Sequence, residues 1–194
     1  MISLLAEKAV DAFIECSVIA KDDRDLYVYG FFMLISKIFY FIWTVLVGAI
    51  FGVVIECIVY YLLFSILREY AGGIHASKEP TCMVCTSLSI LISIIAIWAG
   101  YKFSLTLIFT CLIILGATII IVLCPQDSEA KRLTKTERQL YKRKTITCIV
   151  FILVGGGIAL FTNHIGVFLS CSVCITLESV LLLLGRTMNS RTNL

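Results

Sequence analysis

Charge is what this chain has least of: Asp, Glu, Lys and Arg make up 15% of its 194 residues. A soluble domain carries about 25%, because it has to cover itself with hydrated groups. The shortage excludes an ordinary water-soluble domain. Basic charge is scarce too, with a net charge of +3. No basic face with interleaved aromatics is present, so nucleic acid is not a partner. Histidine occurs twice and proline twice, so each of these residues is worth placing. The first twenty residues lack a continuous apolar core and contain Glu7, Lys8, Asp11 and Glu15. No cleavable signal peptide is expected there, and the chain is read as retained whole.

What the chain does have is apolar length. Sixty per cent of residues are hydrophobic and the mean hydropathy is +1.01. Several apolar runs reach the roughly 20 residues that a helix needs to cross a hydrocarbon core. The expected fold is all-α: a single polytopic membrane bundle of about six transmembrane helices behind an N-terminal amphipathic helix. The nine cysteines are mostly inside apolar runs, where cysteine packs as a small hydrophobe. Their odd number argues against a complete disulfide framework. Two Cys-x-x-Cys pairs, Cys82/Cys85 and Cys171/Cys174, admit a redox or half-zinc reading, but the second is deep in an apolar run, and no cofactor or metal is called for.

In chain order, residues 1–20 form the amphipathic helix, with Ile2, Leu5, Ala9, Phe13, Cys16 and Ile19 at helical spacing. It lies on the membrane surface or against the bundle. Spans are expected at about 26–47, 50–67, 82–99, 103–123, 145–161 and 165–185, with a tight turn near Gly48 to Gly52 and Lys102 in another. Lys37 and Glu56 flank the first turn at similar distances, which suggests a buried pair between antiparallel helices; the alternative is that Lys37 snorkels to the interface. Glu178 falls inside the last span, a candidate for a buried polar contact. Placing both termini, the 68–82 loop and the basic 125–144 loop on one side collects fourteen of the sixteen Lys and Arg residues, all but Lys37 and Lys102. That side is the cytoplasm by the positive-inside rule. His164 falls on the opposite side.

The polar island running from Arg68 to Cys82 holds Gly72, Gly73, His75, Pro80 and Cys82. On one continuous helix His75 and Cys82 would be roughly 10 Å apart along the axis. Paired glycines free the backbone, and Pro80 disfavours helix before it while suiting the first turn of a new one. Cys82 would then sit in a first helical turn, where unpaired N–H groups and the helix dipole favour a thiolate and can bind an oxyanion. A histidine as base and a cysteine as nucleophile point to covalent chemistry. Taken singly, His75 reads equally as a solvated loop residue and Cys82 as a small interfacial one. Ser77 and Glu79 are both candidates to orient His75.

The pattern Arg68-x-x-x-Gly72-Gly73-x-His75-Ala76, with Cys82 seven residues after the histidine, resembles the signature of the AgrB family of membrane cysteine endopeptidases. The likeness extends to the amphipathic start, Tyr29-Gly30, and Pro125-Gln126-Asp127 before the basic loop; Phe31 and Phe32 after Tyr29-Gly30 depart from the family pattern. The resemblance implies that His75 and Cys82 are catalytic. It also implies that an AgrD-like propeptide is cut at the carboxyl side of its signal segment through a Cys82 thioester and cyclised to a thiolactone or lactone autoinducing peptide for quorum sensing. The expected location is the cell membrane of a Gram-positive bacterium, with membrane lipids around the chain and a homodimer compatible with the resemblance. Arg68 either binds a substrate carboxylate or braces the loop; the alternative is a helix-end charge at the membrane interface. Lys131, Arg132 and Lys135 would attract an acidic part of the propeptide, besides setting topology. The rivals are a membrane thiol oxidoreductase using Cys82/Cys85, and a transporter or scaffold with Lys37, Glu56 and Glu178 along a polar path.

Overall fold

The computed structural model describes residues 2–72, 79–126 and 134–192. Seven helices run through them: α1 (Ile2–Glu15), α2 (Arg24–Phe51), α3 (Val54–Ala71), α4 (Glu79–Lys102), α5 (Thr106–Leu123), α6 (Lys135–Phe161) and α7 (Ile165–Thr192). Five of them, α2 and α4 to α7, are long and apolar enough to cross a membrane. The protein is a helical membrane bundle, since a helix bonds its own backbone where no water can. The 18-residue α3 carries Glu56, Arg68 and Glu69, charges that need protein partners at membrane depth.

The chain divides into two compact units, residues 1–43 and 44–194. In the first, α1 buries Ile2, Ala6 and Val10, one stripe at four-residue spacing. Leu5 and Phe13, on the expected apolar face, are exposed, and Phe13 meets Phe31 with ring centroids 5.6 Å apart. Arg24 donates to both oxygens of Asp11 at 2.8 and 3.2 Å. That guanidinium holds the exposed Asp11 carboxyl below its ordinary pKa. Lys37 lies exposed on α2 in this unit.

The second unit is organised by α7. Its apolar window is 61% buried, against 17–28% for the other spanning candidates, because α3, α4, α5 and α6 all pack on it. Close approach is made by small residues, as helix association in lipid requires. A Cβ on Gly116 of α5 would lie 2.9 Å from Ile175 of α7, and one on Gly156 of α6 would lie 3.3 Å from Cys171. Two hydroxyls add directional links: Ser172 donates to the Phe109 carbonyl at 2.7 Å and Ser170 to the Glu56 carbonyl at 2.8 Å. Apolar side chains also cover the outside, with Phe161 94% and Leu107 79% exposed, as expected where lipid is the solvent.

Local chemistry sets the boundaries. The α2–α3 turn falls at Gly52, whose φ of +71° suits glycine. Gly48, at the other end of the expected turn, is inside α2. A Cβ there would come within 3.0 Å of the Cys57 sulfur, so it is a packing residue. Lys102 ends α4 instead of occupying the turn, its ammonium 4.6 Å above the Trp98 ring. Residues 135–144, expected in the basic loop, are the first turns of α6. Thr134 and Glu137 cap them reciprocally, which satisfies two otherwise free N–H groups.

Candidate functional site

Cys82 is the fourth residue of α4, two after Pro80 and partly exposed. Backbone N–H groups in such a first turn have no partner within the helix, so the nucleophile candidate stands beside free donors. Cys85, one turn on, is exposed, and its carbonyl accepts from Ser89 at 2.8 Å. Gly73, His75 and Ser77 lie outside the described residues, as do Lys131 and Arg132. Glu79 is the first residue of α4.

Around the two ends of the 73–78 segment the placement is specific. Arg68, in the last turn of α3, is 3.6 Å from Glu178 of α7, a carboxylate with no exposed surface. Among the described residues neither Glu178 oxygen has a hydrogen-bond partner, so the pair is held by charge at slightly more than hydrogen-bond length. Gly72 ends α3 with φ of +77° and its N–H on the Arg68 carbonyl at 3.3 Å. It bridges to Gln126, against whose carbonyl a Gly72 Cβ would collide. The Gln126 N–H donates to the Ala71 carbonyl at 3.1 Å and its side-chain amide to the Leu182 carbonyl at 2.6 Å. Gly72 and Gln126, the last described residues before positions 73–78 and 127–133, therefore meet at one point.

Beside that point Tyr70 faces Tyr141 of α6 at 6.2 Å, and the Lys144 ammonium lies 4.9 Å over the Tyr70 ring. The exposed Lys135, Arg138 and Lys142 follow one face of the same helix. Glu56 is at the far end of α3, its carboxyl packed against Gly166 in the first turn of α7. It also borders a cleft of about 380 Å³ lined by Phe51, Trp98, Tyr101 and Lys102. This cleft sits at the opposite end of α4 from Cys82.

Arg68 and Glu178 each stand out in the sequence, but nothing in it pairs them. Gln126 stands out only as the middle of Pro-x-Asp, although a polar residue between proline and a charged loop was a usable signal. Gly166 had none, because its partner is 110 positions away.

The chain matches the accessory gene regulator B family over residues 6–182. It belongs to that family. Its role accordingly lies in the accessory gene regulator system. Among relatives, an AgrB-like protein 2 of Clostridium perfringens strain 13, provisionally so named, is 29% identical over 129 residues, 62% of this chain and 58% of the relative. The chain thus aligns with less than two thirds of that relative's length. A second AgrB-like protein, from Clostridium perfringens strain SM101 and also provisionally named, is 28% identical over 194 residues, 88% of each chain. No solved structure matches at a significant level.

Proposed function

We propose that this AgrB-family protein is a membrane cysteine endopeptidase that cuts an AgrD-like propeptide and cyclises the released signal segment. The observation that carries the reading is Cys82 in the first turn of α4, in a chain that matches the family over residues 6–182. His75 takes the proton of the Cys82 thiol. The thiolate sulfur attacks the scissile carbonyl carbon, and the oxyanion that forms is held by N–H groups of the α4 start. The carbon–nitrogen bond breaks, His75 returns its proton to the departing amine, and the peptide remains on Cys82 as a thioester. A cysteine thiol or serine hydroxyl within the peptide then attacks that carbonyl, closes the ring and regenerates the Cys82 thiol. Water has to be excluded for cyclisation to outrun hydrolysis, which a site at the membrane edge favours. The basic first turns of α6, Lys135 among them, attract an acidic propeptide segment, with Lys131 and Arg132 acting likewise.

The test is co-expression with an AgrD-like propeptide and mass spectrometry of the products. Cys82→Ala and His75→Ala should each abolish cleavage, and Cys85→Ser should retain it. Cleavage surviving in either of the first two sinks the reading. Loss in Cys85→Ser would favour a thiol oxidoreductase working through the Cys82/Cys85 pair.

A further inference from the structure

Glu178 and Leu182 are four residues apart on α7 and so lie on one face of it. Glu178 meets Arg68 at 3.6 Å, and the Leu182 carbonyl accepts from the Gln126 side chain at 2.6 Å. Gln126 reaches α3 by its own N–H on the Ala71 carbonyl, and Gly72 folds back on the Arg68 carbonyl. These links close a ring: α7 to Arg68, along the end of α3 to Gly72, across to Gln126, and back to α7. The charged link is shielded from water, since Glu178 has no exposed surface and the Arg68 side chain is 21% exposed. The ring passes through Gly72, the last described residue before the segment bearing His75.

We propose that Glu178 and Gln126 are positioning residues for the Cys82 chemistry: through them α7 fixes the point from which that segment departs. The inference rests on the His75–Cys82 reading above. A buried carboxylate has a cost in lipid that a purely apolar contact would avoid. Here it meets the guanidinium of Arg68, the residue whose backbone carbonyl accepts the Gly72 N–H at the exit of α3. Gln126 meets the same exit from the other side, and no Cβ fits on Gly72 without displacing it. Small displacements matter at such a place, because a misplacement of about 1 Å can cost about a hundredfold in rate.

The experiment uses the full chain in lipid nanodiscs, with iodoacetamide as the probe and mass spectrometry of the Cys82 peptide as the readout, near neutral pH and at about pH 10, where thiols ionise without help. His75→Ala sets the rate without a base. Glu178→Gln and Gln126→Glu, the latter lacking the donor for Leu182, should each slow Cys82 alkylation by about tenfold near neutrality, with the gap closing at high pH. Wild-type rates in both variants overturn the proposal. So does faster alkylation at both pH values, which signals a loosened fold and a merely structural role. If Glu178→Gln fails to fold, the double variant Arg68→Gln/Glu178→Gln removes the uncompensated buried charge. It should fold and still react slowly, and recovery of the wild-type rate would again overturn the idea. A wild-type rate in His75→Ala alone brings down the histidine–cysteine reading, and this proposal with it.

Discussion

At the scale of single residues, Glu56 shows how an acid is housed in a greasy chain. Its carboxyl packs on Gly166 and its backbone carbonyl takes the Ser170 hydroxyl. The first turn of α7 presents the positive end of the helix dipole there, its Val167 and Phe168 N–H groups donating to the His164 carbonyl. A methyl on Gly166 would occupy the space of the Glu56 side chain. Gly166→Ala should therefore cost about 1–3 kcal/mol, seen as a lower Tm in detergent. Gly155→Ala, at a site where a Cβ meets nothing within 4 Å, should be neutral or slightly stabilising. Equal melting of the two variants would show that Gly166 does not seat Glu56. His75 and Cys82 stand out as a candidate pair in the sequence because they are seven residues apart in one polar island. The Glu56–Gly166 contact does not, since nothing in either residue's local sequence names the other.

At the scale of elements, the helices themselves were readable. A long apolar run in lipid has to bond its own backbone, and helix is the one local way to do so. Boundaries were less so. The start of α6 at Lys135 extends ten residues into the stretch expected as a basic loop, although Thr134-x-x-Glu137 was a capping signature in plain view. Which helix sits at the centre was also unreadable, because α5 is at least as apolar as α7 yet α7 is the one on which α3, α4, α5 and α6 all pack. The crossing of α5 and α7 depends on Gly116. Gly116→Val should separate the helices and destabilise the protein by about 1–3 kcal/mol or more, whereas Gly157→Val on α6, where a Cβ meets nothing within 4 Å, should be nearly silent. Thermal aggregation followed by size-exclusion chromatography ranks the two. A tolerated Gly116→Val would mean that α7 is not held at that crossing.

At the scale of the molecule, the distribution of Lys and Arg argues that the α4 start faces the cytoplasm. An impermeant maleimide should then label Cys82 in inside-out vesicles and fail to do so in right-side-out ones, with the Cys82 peptide read by mass spectrometry. Labelling from the outside would reverse the orientation. By itself the sequence determined the helical membrane class, through composition, and marked a polar island as the candidate site, through residue types close together in the chain. Only the tertiary structure decided that Arg68 answers to Glu178, that Gly72 is locked to Gln126, and that α7 is the hub on which both depend. The physical reason is range: backbone hydrogen bonding and lipid burial act on every residue where it stands, whereas a buried ion pair or a missing Cβ has meaning only once a partner some hundred residues away has been packed against it.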